Sequence, residues 1–198
     1  MPTGVALRDP REQLFGAAER ILLRDGPHAL TSRAVTTEAG CAKGVLHRHF
    51  ADFDTFLVEF ALDRIARTEL RAMALLDAAG TGTVVDNLAQ ALIDALDPIA
   101  VSVIALITFR DDLRDRLRRI RQGTGIPLIQ DIGTMIAGYL TAERDLGRIA
   151  ADADLRVLAL TLLGAGHLRF ADRVSPSPAF ETVRWMVTSV LGGALREP

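Results

Sequence analysis

A chain of 198 residues, 49% of them hydrophobic and 24% charged, holds enough apolar material for one large domain or two small ones, which excludes the disordered class. Its single cysteine, Cys41, excludes an internal disulfide framework and any multi-cysteine zinc site. Net charge −2 hides an uneven split: residues 1–50 carry seven bases against five acids, and residues 51–198 carry 16 bases against 20 acids, so a modestly basic head precedes an acidic body.

The first residues, Met1 to Pro10, contain no apolar run of signal-peptide length, which predicts a cytoplasmic chain. Asp9, Pro10 and Glu12 then form a helix-start signature, a capping box with proline at the first helical position. Leu14, Ala17, Ala18, Ile21 and Leu22 make one apolar stripe, and Gly26-Pro27 ends a helix predicted over 10–25. Thr31 is typed as the next cap; Ser32–Ala39 gives barely two turns before Gly40, and a second short helix is predicted over Lys43–His49. Asp52 caps a fourth helix reaching about Ala78, and Gly80–Thr83 reads as a linker.

Beyond the linker the pattern predicts helices over Val84–Leu96, Ile99–Phe109, Arg110–Arg121, Pro127–Glu143, Asp154–Arg173 and Pro178–Leu195, the last opened by Ser177-Pro178. Ile99–Phe109 is apolar all round and so is expected to be buried. It falls short of the roughly 18–20 apolar residues of a membrane span, so no membrane partner is expected. No run alternates as a strand would, and the fold class is all-α.

Two short helices joined by a glycine turn after a longer capped helix have the arrangement of a helix-turn-helix, whose second short helix enters the major groove. Lys43 and His47 share one face of that helix, while Leu46 and Phe50 share the face that docks inward. Thr31, Ser32 and Arg33 open the preceding helix, where free amides and the helix dipole favour a phosphate. The set expected to meet DNA is therefore Thr31, Ser32, Arg33, Lys43, Gly44, Val45, His47, Arg48 and His49. Lys43 and Arg48 hold the backbone in this reading, and Gly44, Val45 and His47 meet base edges.

The ordered set Thr31, Gly40, Lys43-Gly44, Leu46 and His49-Phe50, together with the capped first helix, resembles the DNA-binding domain of the TetR family of bacterial regulators over about Arg11 to Leu57. The chain departs from the family pattern at Ala42, Val45, His47 and Phe53, where the family often has serine, a small hydroxyl residue, tyrosine and lysine. The resemblance implies an N-terminal three-helix domain over 1–52 and a C-terminal helical bundle for ligand binding and dimerisation over 53–198. It also implies a repressor that a small effector shifts away from DNA. The alternative is a helical dimeric sensor or interaction module whose head is weakened by these departures.

Gly164 and Gly166 suggest a close helix approach, and with the stripe Val183, Val187, Val190, Leu191 and Ala194 they point to the last two helices as a homodimer interface, with Trp185 there or at its rim. A two-fold dimer suits a palindromic operator in double-stranded DNA. Phe60, Phe109, Met135, Tyr139 and His167 are candidates for lining a mostly apolar effector pocket; each reads equally as core, and His167 as a satisfied core or interface histidine. Cys41, His47 and His49 lack metal-ligand spacing, and Cys41 reads as a buried turn residue or a redox group. The mixed charges of Arg110–Arg121 read as a solvated helix face against a second nucleic-acid surface. No nucleophile elbow, phosphate loop or dinucleotide glycine pattern is present, so neither an enzyme nor a cofactor is expected.

Overall fold

The computed structural model describes residues 9–172 and 178–196, and within them the regular elements are helices. They are α1 (Pro10–Asp25), α2 (Ser32–Glu38), α3 (Lys43–His49), α4 (Phe53–Asp77), α5 (Val84–Ala95), α6 (Pro98–Phe109), α7 (Asp111–Arg121), α8 (Ile129–Asp145), α9 (Leu155–Phe170) and α10 (Phe180–Leu191), with one 3-10 turn over Pro27–Ala29. Helix starts follow the side chains that can accept from exposed amides. Thr31 accepts from Ala34, Asp52 from Thr55, Thr83 from Asp86 and Asp97 from Ala100, at 3.1, 2.6, 3.0 and 2.8 Å. Each such cap stabilises its helix by about 1 kcal/mol. Asp9 accepts from the amides of Arg11 and Glu12, but the exposed Glu12 makes no return bond among the described residues, so the expected capping box is one-sided.

α1, α2 and α3 pack on one another as the head, with Leu14, Leu22, Leu30, Val35 and Leu46 buried between them. α4 is shared. Its first turns hold the head through an aromatic row, Phe53, Phe56 and Phe60, in which Phe56 meets Phe50 edge-on at 5.1 Å and Phe15 at 5.7 Å. Its later turns lie along α8, and α8 in turn packs on α9. α10 covers α5 and α9, while α6 runs through the centre and touches α1 and the 3-10 turn. One continuous apolar core therefore joins head and body.

Four expected boundaries move. α8 starts at Ile129 rather than Pro127 because the buried Leu128 turns at φ 70°, its amide donating to Asp131 at 3.0 Å. α10 ends at Leu191 because Ala194 instead accepts from the amide of Ala150 at 2.8 Å, part of a short antiparallel bridge between Ile149 and Leu195. α10 begins at Phe180, after the extended Ala179, and α9 ends at Phe170; Arg173 and Ser177 of the expected helices lie outside the described residues. Among the described residues no single helix is long and apolar enough to cross a membrane. α5 and α6 would pass only together, and they meet at 60°.

Candidate nucleic-acid interface

The turn between α2 and α3 is made by Gly40 at φ 65°, a left-handed conformation that favours glycine, and the amide of Cys41 closes it by donating to the carbonyl of Thr36 at 3.0 Å. Gln13 of α1 donates to the Ala39 carbonyl at 2.6 Å, so the turn is fixed to the helix behind it. α3 is held from below by Leu46 and Phe50, and Lys43, Gly44, His47, Arg48 and His49 face outward. Ala42 offers α3 no side-chain cap, the cost of the departure seen in the sequence. An added Cβ at Gly44 would meet nothing within 4 Å, so the backbone there is open to close approach.

Charge separates the head's arginines and lysine into two groups. Arg11 is paired with Glu59, and Arg20 and Arg24 both reach Glu38, at 2.8 and 3.0 Å. Those two arginines, chiefly Arg20, hold the Glu38 carboxyl below its ordinary range. Arg33, Lys43 and Arg48 are exposed and have no carboxylate partner among the described residues. Such unpartnered cations suit the phosphates of DNA. Thr31, exposed at the start of α2, accepts from Ala34 through its hydroxyl oxygen and keeps its own proton for an outside acceptor.

Two of the expected residues turn their side chains inward. Val45 is only 9% exposed and belongs to the core, because in a seven-residue helix two adjacent positions, Val45 and Leu46, both face the head's interior. The Ser32 hydroxyl is buried without a hydrogen-bond partner, which leaves its backbone amide as the group able to meet a phosphate. Phe53 stacks on Phe56 at 5.6 Å with the Arg110 guanidinium 6.0 Å from its ring, so the position that departs from the family serves packing.

Among the described residues, the five pocket candidates are not brought together in any of the cavities found at the surface. Phe60 is fully buried in the aromatic row, and Met135 is buried on α8. The Tyr139 hydroxyl accepts from Asn87 at 2.9 Å, and burial raises its pKa. Glu143, itself fully buried, accepts from Gly80 at 3.3 Å and pairs with Arg148 at 3.2 Å, so this cluster ties α8 to the turn after α4. His167 on α9 is half-buried, its Nδ1 unpartnered, and burial lowers its pKa. Phe109 alone of the five lines the cavities described below; it is 83% exposed.

The expected dimer stripe is likewise redirected. Val183, Val187 and Leu191 are buried inside the protomer as α10 packs on α5, and a Cβ on Gly166 would lie 2.9 Å from Leu96 Cδ1. Gly166 therefore allows an approach within one chain. The large apolar residues left open on the last two helices are Val157, Leu160, Leu168, Phe180 and Trp185, and the space beside Gly164 is empty.

A short three-helix head that presents a helix-turn-helix, set on a larger helical body, has the architecture of a DNA-binding head. Residues 14–59 match the model of the bacterial regulatory proteins of the tetR family. No curated protein matches the chain. Among solved structures the whole chain is similar to Salmonella enterica GusR, with TM-score 0.67, 18% identity, and 96% and 98% of the two chains covered. It is also similar to the ketosteroid transcriptional regulator KstR2 of Mycobacterium tuberculosis, with TM-score 0.68, 18% identity, and coverage of 96% and 97%. A third is the transcriptional regulator FadR from Bacillus subtilis in complex with stearoyl-CoA, with TM-score 0.68, 16% identity, and coverage of 92% and 98%. These are likenesses of fold; the likeness to the tetR regulatory proteins by sequence is confined to the head, residues 14–59.

Proposed function

We propose that the protein is a homodimeric repressor that binds a palindromic operator through Thr31, Arg33, Lys43, Gly44, His47, Arg48, His49 and the Ser32 amide, and is released by a small, mostly apolar effector. The observation that carries this reading is the grouping of Arg33, Lys43 and Arg48, cations without carboxylate partners, on the two short helices, while the other described arginines of the head are paired. It disfavours the alternative of a disabled head, because the departures at Ala42, Val45 and Phe53 remove a cap or add to the core without covering these cations.

The division of labour runs at about residue 52: residues 1–52 bind DNA, and residues 53–198 bind ligand and dimerise. Val157, Leu160, Leu168 and Trp185 supply the apolar face through which α9 and α10 meet a second copy. The protein works in the cytoplasm as a regulator and not as an enzyme. FadR, solved with stearoyl-CoA, supports an effector with a long apolar part. Replacing Arg48 by alanine is expected to weaken binding to every duplex alike and to lower the slope of log affinity against log salt by about one per protomer. Fluorescence anisotropy over a salt series measures this, and an unchanged slope would remove Arg48 from the phosphate contacts.

A further inference from the structure

Where the head meets the body, Pro27 and His28 of the 3-10 turn face Ala105, Leu106 and Phe109 of α6 across a cavity of about 450 Å3, closed at one end by Arg110. The volume falls in the range of small-molecule sites, about 300–1,000 Å3. Three features suit it to a ligand. Phe109 stands 83% exposed at its mouth, an aromatic ring that α6 places in water with no packing role. Apart from Arg110 and His28 the lining is apolar, and it contains no carboxylate. Arg110, half-buried, has no carboxylate partner among the described residues: it donates to the Leu30 carbonyl at a long 3.5 Å and lies 6.0 Å from the Phe53 ring.

A half-buried guanidinium with one marginal hydrogen bond gains strongly from a bidentate carboxylate. The acids near Arg110, Asp54, Asp111 and Asp112, line a separate cavity that Phe109 and Arg110 also border, so a ligand anion reaches the guanidinium from the Pro27 side. We propose that this cleft binds an apolar carboxylic acid, its carboxylate on Arg110 and its hydrocarbon against Leu106 and Phe109. Leu30 immediately precedes the cap of α2 and Phe53 opens α4, so drawing Arg110 from both loosens the contact that holds the head on α6. The site stands without reference to DNA; only its regulatory meaning rests on the reading above.

The test is photolabelling of the full chain with a decanoic acid that carries a terminal diazirine, below its micelle threshold and without DNA, followed by peptide mass spectrometry. Adducts are expected on residues 27–30 and 105–110. Decanoate should suppress them, with decyltrimethylammonium at least tenfold less effective. Arg110→Gln should reduce labelling at least tenfold at an unchanged melting temperature, and Arg110→Lys, which keeps the charge but loses the two-pronged contact, should fall between Arg110→Gln and the parent. Adducts on other helices, equal competition by the cation, or undiminished labelling of Arg110→Gln would overturn the proposal. None of those results bears on DNA recognition, and a failure to bind DNA would leave the labelling standing.

Discussion

Replacing Phe56 by alanine is expected to cost about 4 kcal/mol, the usual scale for removing a buried phenylalanine, and to abolish DNA binding at growth temperature. Phe56 is fully buried and touches the rings of Phe15, Phe50, Phe53 and Phe60, so it joins α1, the end of α3 and α4 at one point. The void left by alanine has α3 on its rim, and a reading helix that is no longer fixed cannot hold Lys43 and Arg48 in register with phosphates. Phe56→Leu, which keeps most of the volume, should recover most of the loss. Denaturant melts and anisotropy on both variants check this; an alanine variant within about 1 kcal/mol of the parent would show that the aromatic row is not the head's support.

The second large effect is expected at Arg64, where alanine should destabilise the fold by about 3 kcal/mol. Only 4% of this side chain is exposed; it reaches both carboxylate oxygens of Asp97, at 2.9 and 2.7 Å, and Glu19 of α1 at 3.4 Å. Asp97 also caps α6 through Ala100 and receives Arg71 at 3.3 Å. Removing the guanidinium therefore leaves two partly covered carboxylates without their main partner and loosens α1 and α6 from α4 together. Since α6 also touches the head at the 3-10 turn, this ion network is where the body fixes the head's angle. Thermal melts should show a fall of roughly 10 °C, from the usual few degrees per kcal/mol in a chain of this size. A melting temperature within about 2 °C of the parent would contradict the assignment.

The caps Asp9, Thr31 and Asp52 were legible in the sequence because a cap is a local event, each accepting from amides two or three residues on; Thr83, Asp97 and Asp154 cap in the same way without having been read as caps. The helix-turn-helix was legible for the same reason, since Gly40 and the spacing of Leu46 and Phe50 lie within a few residues of one another. Val45 was misread because a helix of seven residues gives too little periodicity to separate an inward face from an outward one. The stripe Val183, Val187 and Leu191 was correctly apolar, yet periodicity does not say which neighbour an apolar face meets, and here it meets α5 within the chain.

The pocket candidates met the same limit, since helical period does not separate core from cavity lining. Phe60, Met135 and Tyr139 are buried as core, and Phe109, the most exposed of the set, is the one beside a cavity. The signal available in the sequence was Arg110, the first base after the most apolar run in the chain. The tie of Arg64 to Glu19 and Asp97 spans 45 and 33 residues and left no local trace.

The central claim, that this chain reads DNA as a two-fold dimer, is tested most directly by selecting its preferred duplexes from a random library at low salt over several rounds and then titrating salt against the best sequence. The account predicts a palindrome whose half-sites lie about 34–36 Å apart along the duplex, one helical turn, bound by an even number of protomers. Recovery of no preferred sequence, with weak binding that salt removes equally from every duplex, would contradict it.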